Sequence, residues 1–248
     1  MNGYFIFDGL DSRDFGAVIY DLNIDSAPTR LYDDLEAAGK NGVYLLSKRR
    51  FPNVVHSYSG FIYQNFESNL TKLRNRLLSR EGYKRLSDSF HTDEFYSAAI
   101  KTDIEIEVSR DRQNAKFTIE FERLPQRFLV SGETPVTVTS PSGSQTTSTV
   151  TNPTLMPAYP KLVITGTGNV NVGGNRLTIA SGTTGDTTVD CEIMEAYLAD
   201  SQGNISESRN SLVTIQDINY PYFKPGSNAF NLGANITKVV YTPRWWKL

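Results

Sequence analysis

From residue 161 to residue 242 no apolar stretch has the length or the spacing of a helix. The segments 161–165, 170–172, 176–180, 187–194, 196–198, 211–215 and 236–242 are short and rich in β-branched and aromatic residues. GTGN, GGN, SGTTGD and SQGN separate them. Glycine and asparagine take the left-handed backbone that tight turns need. Short strands punctuated in this rhythm stack as antiparallel sheets, so this half is expected to be a β-sandwich or jelly roll. Gly166-Thr167-Gly168 is no dinucleotide fingerprint, because the third glycine and the following helix are missing.

The last stretch, 220–248, closes this half. Pro221, Pro225 and Gly226 force a turn, Gly233 and Asn235 break the chain again, and 236–242 has strand composition. The chain then ends on Pro243-Arg244-Trp245-Trp246-Lys247-Leu248, which holds both of its tryptophans. Chain ends fray unless packing ties them down, and two adjacent tryptophans in a frayed tail would expose a large apolar area. A docked final strand is expected. Cys191 alternates with Val189 and Ile193 and is expected to be a small core residue, not a nucleophile.

Charge divides the chain unevenly. Residues 1–130 hold 37 of the 52 Asp, Glu, Lys and Arg residues, and 131–248 hold 15. Between them 131–154 is rich in Ser and Thr with one charge, Glu133. The shift predicts two domains, 1–130 and 131–248. The segment itself fits a flexible linker or, through Val136 and Val138, an edge strand.

The first domain is expected to be mainly β with one helix. Strands are predicted at 4–7, 17–22, 43–46, 54–63, 82–89 and 96–101, and one helical turn at 33–38. Asn41-Gly42 is a hairpin turn pair. The helix is predicted at 67–81, because Phe66, Leu70, Leu73, Leu77 and Leu78 share one face of a 3.6-residue period. Ser68 is its expected cap and Gly82 its terminator. A hairpin follows. Ile104, Ile106 and Val108 alternate with glutamates, 109–115 turns, and Phe117, Ile119 and Phe121 alternate back, so the apolar residues share one face.

Few functional constellations survive inspection. Net charge is −2, so no global field draws nucleic acid or an anionic membrane. No apolar run approaches a membrane span, and the start carries no basic, apolar leader. One cysteine and two separated histidines, His56 and His91, make no zinc spacing and no disulfide. No cofactor, metal or catalytic residue is assigned, and the chain is not expected to be an enzyme. Glu105 and Glu107 beside Glu120 and Glu122 could form a glycosidase pair, but a solvated sheet face explains them as well. The basic cluster Lys48, Arg49, Arg50, with Phe51, is placed at a hairpin tip, as a contact arm or a solvated end. Tyr222, Trp245 and Trp246 are candidate rings for stacking a sugar, although neighbours on a strand point oppositely and at most one tryptophan can face solvent.

The order of motifs resembles the distal tail protein (Dit) family of long-tailed bacteriophages. The resemblance runs through an aromatic strand followed by Asp14-Phe15-Gly16, then Asn152-Pro153, 162–166, Asp190-Cys191-Glu192, Pro225-Gly226-Ser227-Asn228 and Pro243-Arg244-Trp245-Trp246-Lys247-Leu248. It departs from the family pattern at Tyr222-Phe223-Lys224. The resemblance implies a tail-tube-like β-sheet domain with one α-helix and a galectin-like antiparallel β-sandwich. It implies a homohexameric ring in the virion, at the tail tip or baseplate, assembled in the host cytoplasm. Such a ring joins the major tail tube protein to the tail-associated (Tal) protein and to receptor-binding proteins. DNA passes its bore without sequence-specific binding, and no membrane insertion is involved. An arm clasping the neighbouring subunit is expected within 25–58, with Lys48, Arg49, Arg50 and Phe51 as contacts; the 105–122 hairpin is the second candidate. The alternative reading is a carbohydrate-binding adhesin or lectin-like module.

Overall fold

The computed structural model describes residues 3–23, 27–63, 65–110 and 113–248. Asp25 and Ser26, at the start of the predicted arm, and Asp111 and Arg112, in the predicted hairpin turn, lie outside them. The protein is mainly β, with one α-helix. It divides into two compact units, 1–127 with Leu248 and 128–247.

The first unit is built on one antiparallel sheet. Its strands run in the order Leu10–Asp11, Phe5–Phe7, Lys84–Asp88, Glu94–Ala99, Ala115–Leu129, Val54–Ile62 and Ala17–Asn23, and Glu105–Val108 also pairs with the long strand. The segment just before Phe5–Phe7 reaches the strand at the far end of this path. Gly3 and Ile19 exchange backbone hydrogen bonds of 3.1 and 3.0 Å, which curls the sheet on itself. Glycine is required at this seam, since a Cβ on Gly3 would lie 2.7 Å from the Ile19 carbonyl oxygen. Alternation fills the interior. Ala115, Phe117, Ile119 and Phe121 point inward from one strand and meet Tyr58 from the adjacent strand and Phe5 and Phe7 from across the curled sheet. The Phe121 ring contacts the Phe7 ring edge-on at 5.0 Å.

The helix is Phe66–Leu78 and buries Phe66, Leu70, Leu73 and Leu77 in that interior. Leu78, expected on the same face, is 55% exposed. At 100° per residue it falls about 110° from the centre of the other four, beyond the buried stripe. The predicted cap also moves: Asn65 precedes the helix with no side-chain capping bond, and Ser79 ends it, Gly82 lying beyond at φ +72°.

Residues 33–38 form no helical turn. Tyr32–Glu36 is a strand, paired in register with Val43–Ser47 from Tyr32↔Ser47 to Glu36↔Val43. The turn pair Asn41-Gly42 ends the connection between them, and the apolar residues Leu35, Tyr44 and Leu46 suit a pleat better than a helix. Val43–Ser47 therefore does not pair with Val54–Ile62, and Lys48 to Phe51 sit at the foot of this hairpin rather than at a tip.

The second unit is a sandwich of two antiparallel sheets. One runs Val136–Thr139, Ile236–Thr242, Lys161–Gly166, Asp186–Asp190, Glu195–Ala199 and Ile205–Ser208; the other runs Thr146–Asn152, Gly226–Leu232, Gly168–Val172, Asn175–Ile179 and Val213–Ile215. Leu162, Ile164, Val170, Leu177, Phe230, Leu232 and Val239 fill the space between. The Ser/Thr-rich stretch is not a linker: it supplies an edge strand to each sheet. Cys191 is fully buried there, but its strand stops at Asp190 and Ile193 turns outward, 55% exposed.

Candidate functional site

None of the residues weighed for catalysis meets a suitable partner. In register, Glu107 lies opposite Lys116 and Glu105 opposite Thr118, so the hairpin places no two glutamates face to face. Glu122 accepts a hydrogen bond from Lys101 at 2.8 Å and another from Asn53. Those two bonds hold its carboxyl below the usual range, the reverse of what a general acid needs. His56 is fully buried between the rings of Tyr58 and Tyr96, at 4.7 and 5.1 Å. Burial first, and then the Arg123 charge, lowers its pKa to about 3, so it stays neutral. Neither of its ring nitrogens has a hydrogen-bond partner. Burial, then the neighbouring Asp190, pushes the Cys191 thiol up and withholds the thiolate.

The polar residues around His56 hold the first unit's interior. Tyr58 donates to Asp88 at 2.9 Å, and Asp88 accepts from the backbone N–H groups of Phe90 and His91 at 2.8 Å each. Arg127 donates to Glu94 at 2.7 Å. Arg123 is 2% exposed, its guanidinium 5.0 Å from the Tyr96 ring centre.

The sugar-stacking candidates separate. Trp245 is 6% exposed and packs its ring 5.4 Å from that of Phe223, which removes it as an outer platform. Gly132 is what lets it in: a Cβ there would come within 2.4 Å of the Trp245 nitrogen. Trp246 is half-buried and donates through Nε1 to the Pro157 carbonyl at 2.8 Å. Tyr222 leans on Tyr159, ring centres 5.7 Å apart. These three side chains fasten the end of the chain and do not line one cleft.

The motifs that single out the second half are fasteners as well. Arg244 clamps Asp190 with two bonds of 2.6 and 2.7 Å. Burial opposes ionisation of Asp190, but the Arg244 guanidinium outweighs it and holds the carboxyl below its usual range. Asn228 accepts from the Lys224 N–H and donates to the carbonyls of Lys224 and Gly226, each at 2.8 Å, which locks the Pro225-Gly226 turn. Asn152 donates to Met156 at 2.8 Å and accepts from the Thr154 N–H at 2.9 Å. Asp190-Cys191-Glu192 and Pro243-Arg244 are thus two halves of one ion pair, which spacing in the sequence does not reveal.

What stands out against the sheet is the hairpin. All five residues of Tyr32–Glu36 and all five of Val43–Ser47 are exposed. They include Tyr32, Leu35, Val43, Tyr44, Leu45 and Leu46, each 44–60% exposed. At its foot Leu31 donates to the Arg50 carbonyl and accepts from the Lys48 N–H. The predicted contacts gather there. Lys48 pairs with Asp33 at 2.6 Å, Phe51 lies under the Arg30 guanidinium at 5.0 Å, and Arg49 and Arg50 are exposed.

No protein-family model matches the chain. No curated protein matches it by sequence. Solved structures do. The SPP1 Dit (gp 19.1) protein, described as a paradigm of the hub adsorption apparatus in Gram-positive infecting phages, aligns with a TM-score of 0.70 at 16% identity, covering 100% of both chains. A chain of the phage P2 baseplate in its activated conformation with Ca aligns at 0.54 and 8% identity over 97% of each chain. A chain of the p2 baseplate with Sr aligns at 0.53 and 8% identity over 97% of each. The chain has the Dit fold over its full length.

Proposed function

We propose that this protein is a hub of a phage tail tip or baseplate, a homohexameric ring that joins the tail tube to the parts below it. The observation that carries this reading is the alignment of both units, end to end, with a Dit hub protein. The exposed hairpin supports it. A two-stranded hairpin on its own is marginal in water, and six large apolar side chains on it call for a second surface. In a ring each copy offers its hairpin to the next, a head-to-tail contact that closes. Lys48, Arg49, Arg50 and Phe51 at the hairpin foot are the contacts assigned to this clasp. The partners are the tail tube protein, the tail-associated protein and receptor-binding proteins, with DNA passing through the bore. No observation favours the lectin-like reading at the terminal aromatics, since Trp245 is buried. Gold-labelled antibody on virions that carry this chain tests the assignment. Label confined to the tail tip supports it; label on the head, along the tube or only in lysate refutes it.

A further inference from the structure

The chain holds two Asn-Gly pairs, Asn2-Gly3 and Asn41-Gly42. The fold treats their glycines in opposite ways. The Gly3 N–H donates to the Ile19 carbonyl at 3.1 Å, and the Phe90 ring and the Ile19 carbonyl crowd the place where a Cβ would sit. Gly42 stands in the connection between the two strands of the hairpin, at φ +86°, with nothing within 4 Å of a Cβ built on it. Asn41 and Gly42 are both exposed. Before them the Lys40 N–H closes a turn on the Ala37 carbonyl at 3.1 Å, and after them the strands resume with the pair Glu36↔Val43. Among the described residues nothing hydrogen-bonds the Asn41 side chain or the Gly42 N–H.

A free Asn-Gly pair carries its own nucleophile. The Gly42 nitrogen and the Asn41 Cγ close a five-membered ring, and a reaction within one chain needs no second molecule to be brought up. A hydrogen bond on the glycine N–H would hold the proton that has to leave. A Cβ on the second residue would obstruct the approach and restrict the backbone torsions that reach it. Gly42 has neither obstacle, whereas Gly3 has its N–H tied. In the reaction the Gly42 nitrogen bonds to Cγ and the Cγ–Nδ2 bond breaks. Nδ2 leaves as ammonia, taking up the proton from the Gly42 nitrogen. Water then opens the succinimide at one carbonyl or the other and leaves aspartate or isoaspartate. Nothing is oxidised or reduced.

We propose that Asn41 is a site of spontaneous deamidation at the turn of the hairpin. Either product adds a negative charge there, and isoaspartate also routes the main chain through its Cβ, which lengthens the turn by one atom. The chemistry is independent of assembly. Its consequence rests on the proposed ring: a hairpin covered by the next copy is shielded, so free copies age at this turn and assembled ones keep it.

Peptide mapping by mass spectrometry tests the site on the full-length chain after long, warm incubation in mildly alkaline buffer. The chain carries Leu45→Asp, so that its hairpin stays uncovered, and a parallel sample in guanidinium chloride gives each pair's rate when unfolded. In the folded chain the Asn41 peptide is expected to gain about 1 Da, chiefly as isoaspartate, at a rate within about tenfold of its unfolded rate. The Asn2 peptide should fall more than about tenfold below its own unfolded rate, because the Gly3 N–H is held. Gly42→Ala should slow conversion at Asn41 at least about tenfold, and Asn41→Gln should abolish it, since glutamine must close a larger ring. A folded-state rate at Asn41 more than about tenfold below the unfolded one overturns the proposal, as does Asn2 converting as fast as Asn41. An intact chain that stays monomeric and converts as fast as the Leu45→Asp chain would refute the ring and support this site.

Discussion

The two units differ at their surfaces more than in their polar interiors. In the second, Asp190 closes on Arg244, Asn228 on its own turn and Asn152 on Met156 and Thr154, while the buried Arg209 keeps its Nε unpartnered. In the first, His56 is buried with both ring nitrogens unpartnered, Arg123 is buried with its Nε unpartnered, and an apolar hairpin stands in solvent. The first also carries a hairpin both of whose strands are exposed throughout, which the ring proposed above would cover.

Acid should separate the two most strongly. His56 titrates at 6.5 when unfolded and near 3 when folded. A folded pKa lowered in this way means the unfolded state takes up a proton first, so stability falls as pH drops from 6.5 towards 3, by about 4–5 kcal/mol in all. His56→Phe should flatten this slope in a pH series of thermal melts; an unchanged slope would show that His56 is not the responsible group. Asp190 behaves differently. Its folded pKa is depressed, so its contribution is whole above the ordinary carboxylate range and is lost only as pH falls through the lower folded value. Denaturation of the second unit should therefore begin in stronger acid.

Core truncations come next. Trp245→Ala should cost the second unit about 3–5 kcal/mol, and Leu73→Ala the first about 2–5 kcal/mol, read from urea midpoints. Leu45→Asp on the hairpin should move neither midpoint by more than about 0.5 kcal/mol while abolishing assembly. A large loss of monomer stability with Leu45→Asp would mean that the hairpin packs within its own chain. The smallest effect is expected at the Lys48–Asp33 pair, an exposed ion pair worth under about 1 kcal/mol by double-mutant cycle.

The sequence shows where the helix is and why the 105–122 hairpin alternates, because both rest on local periods. It does not show the strand Gly226–Leu232, which sits second in its sheet. Its residues, Gly-Ser-Asn-Ala-Phe-Asn-Leu, have little β propensity, and the signal is only the two-residue spacing of Asn228, Phe230 and Leu232. The 32–47 hairpin was half legible: Asn41-Gly42 marks its turn, but pairing is a non-local choice, and Val54–Ile62 is an equally plausible partner on composition. Tertiary closure also decides Trp245 against Trp246, and it alone brings Asp190 to Arg244.

Solution mass, compared between the full chain and a variant in which a Gly-Gly link replaces residues 32–47, tests the central claim most directly. The Leu31–Lys48 backbone bond puts the cut ends side by side, so the excision leaves the rest of the fold in place. The intact chain should form a species of six copies and the excised chain a folded monomer with an unchanged melt. A monomer from the intact chain at every concentration, or six copies from the excised one, would contradict the account.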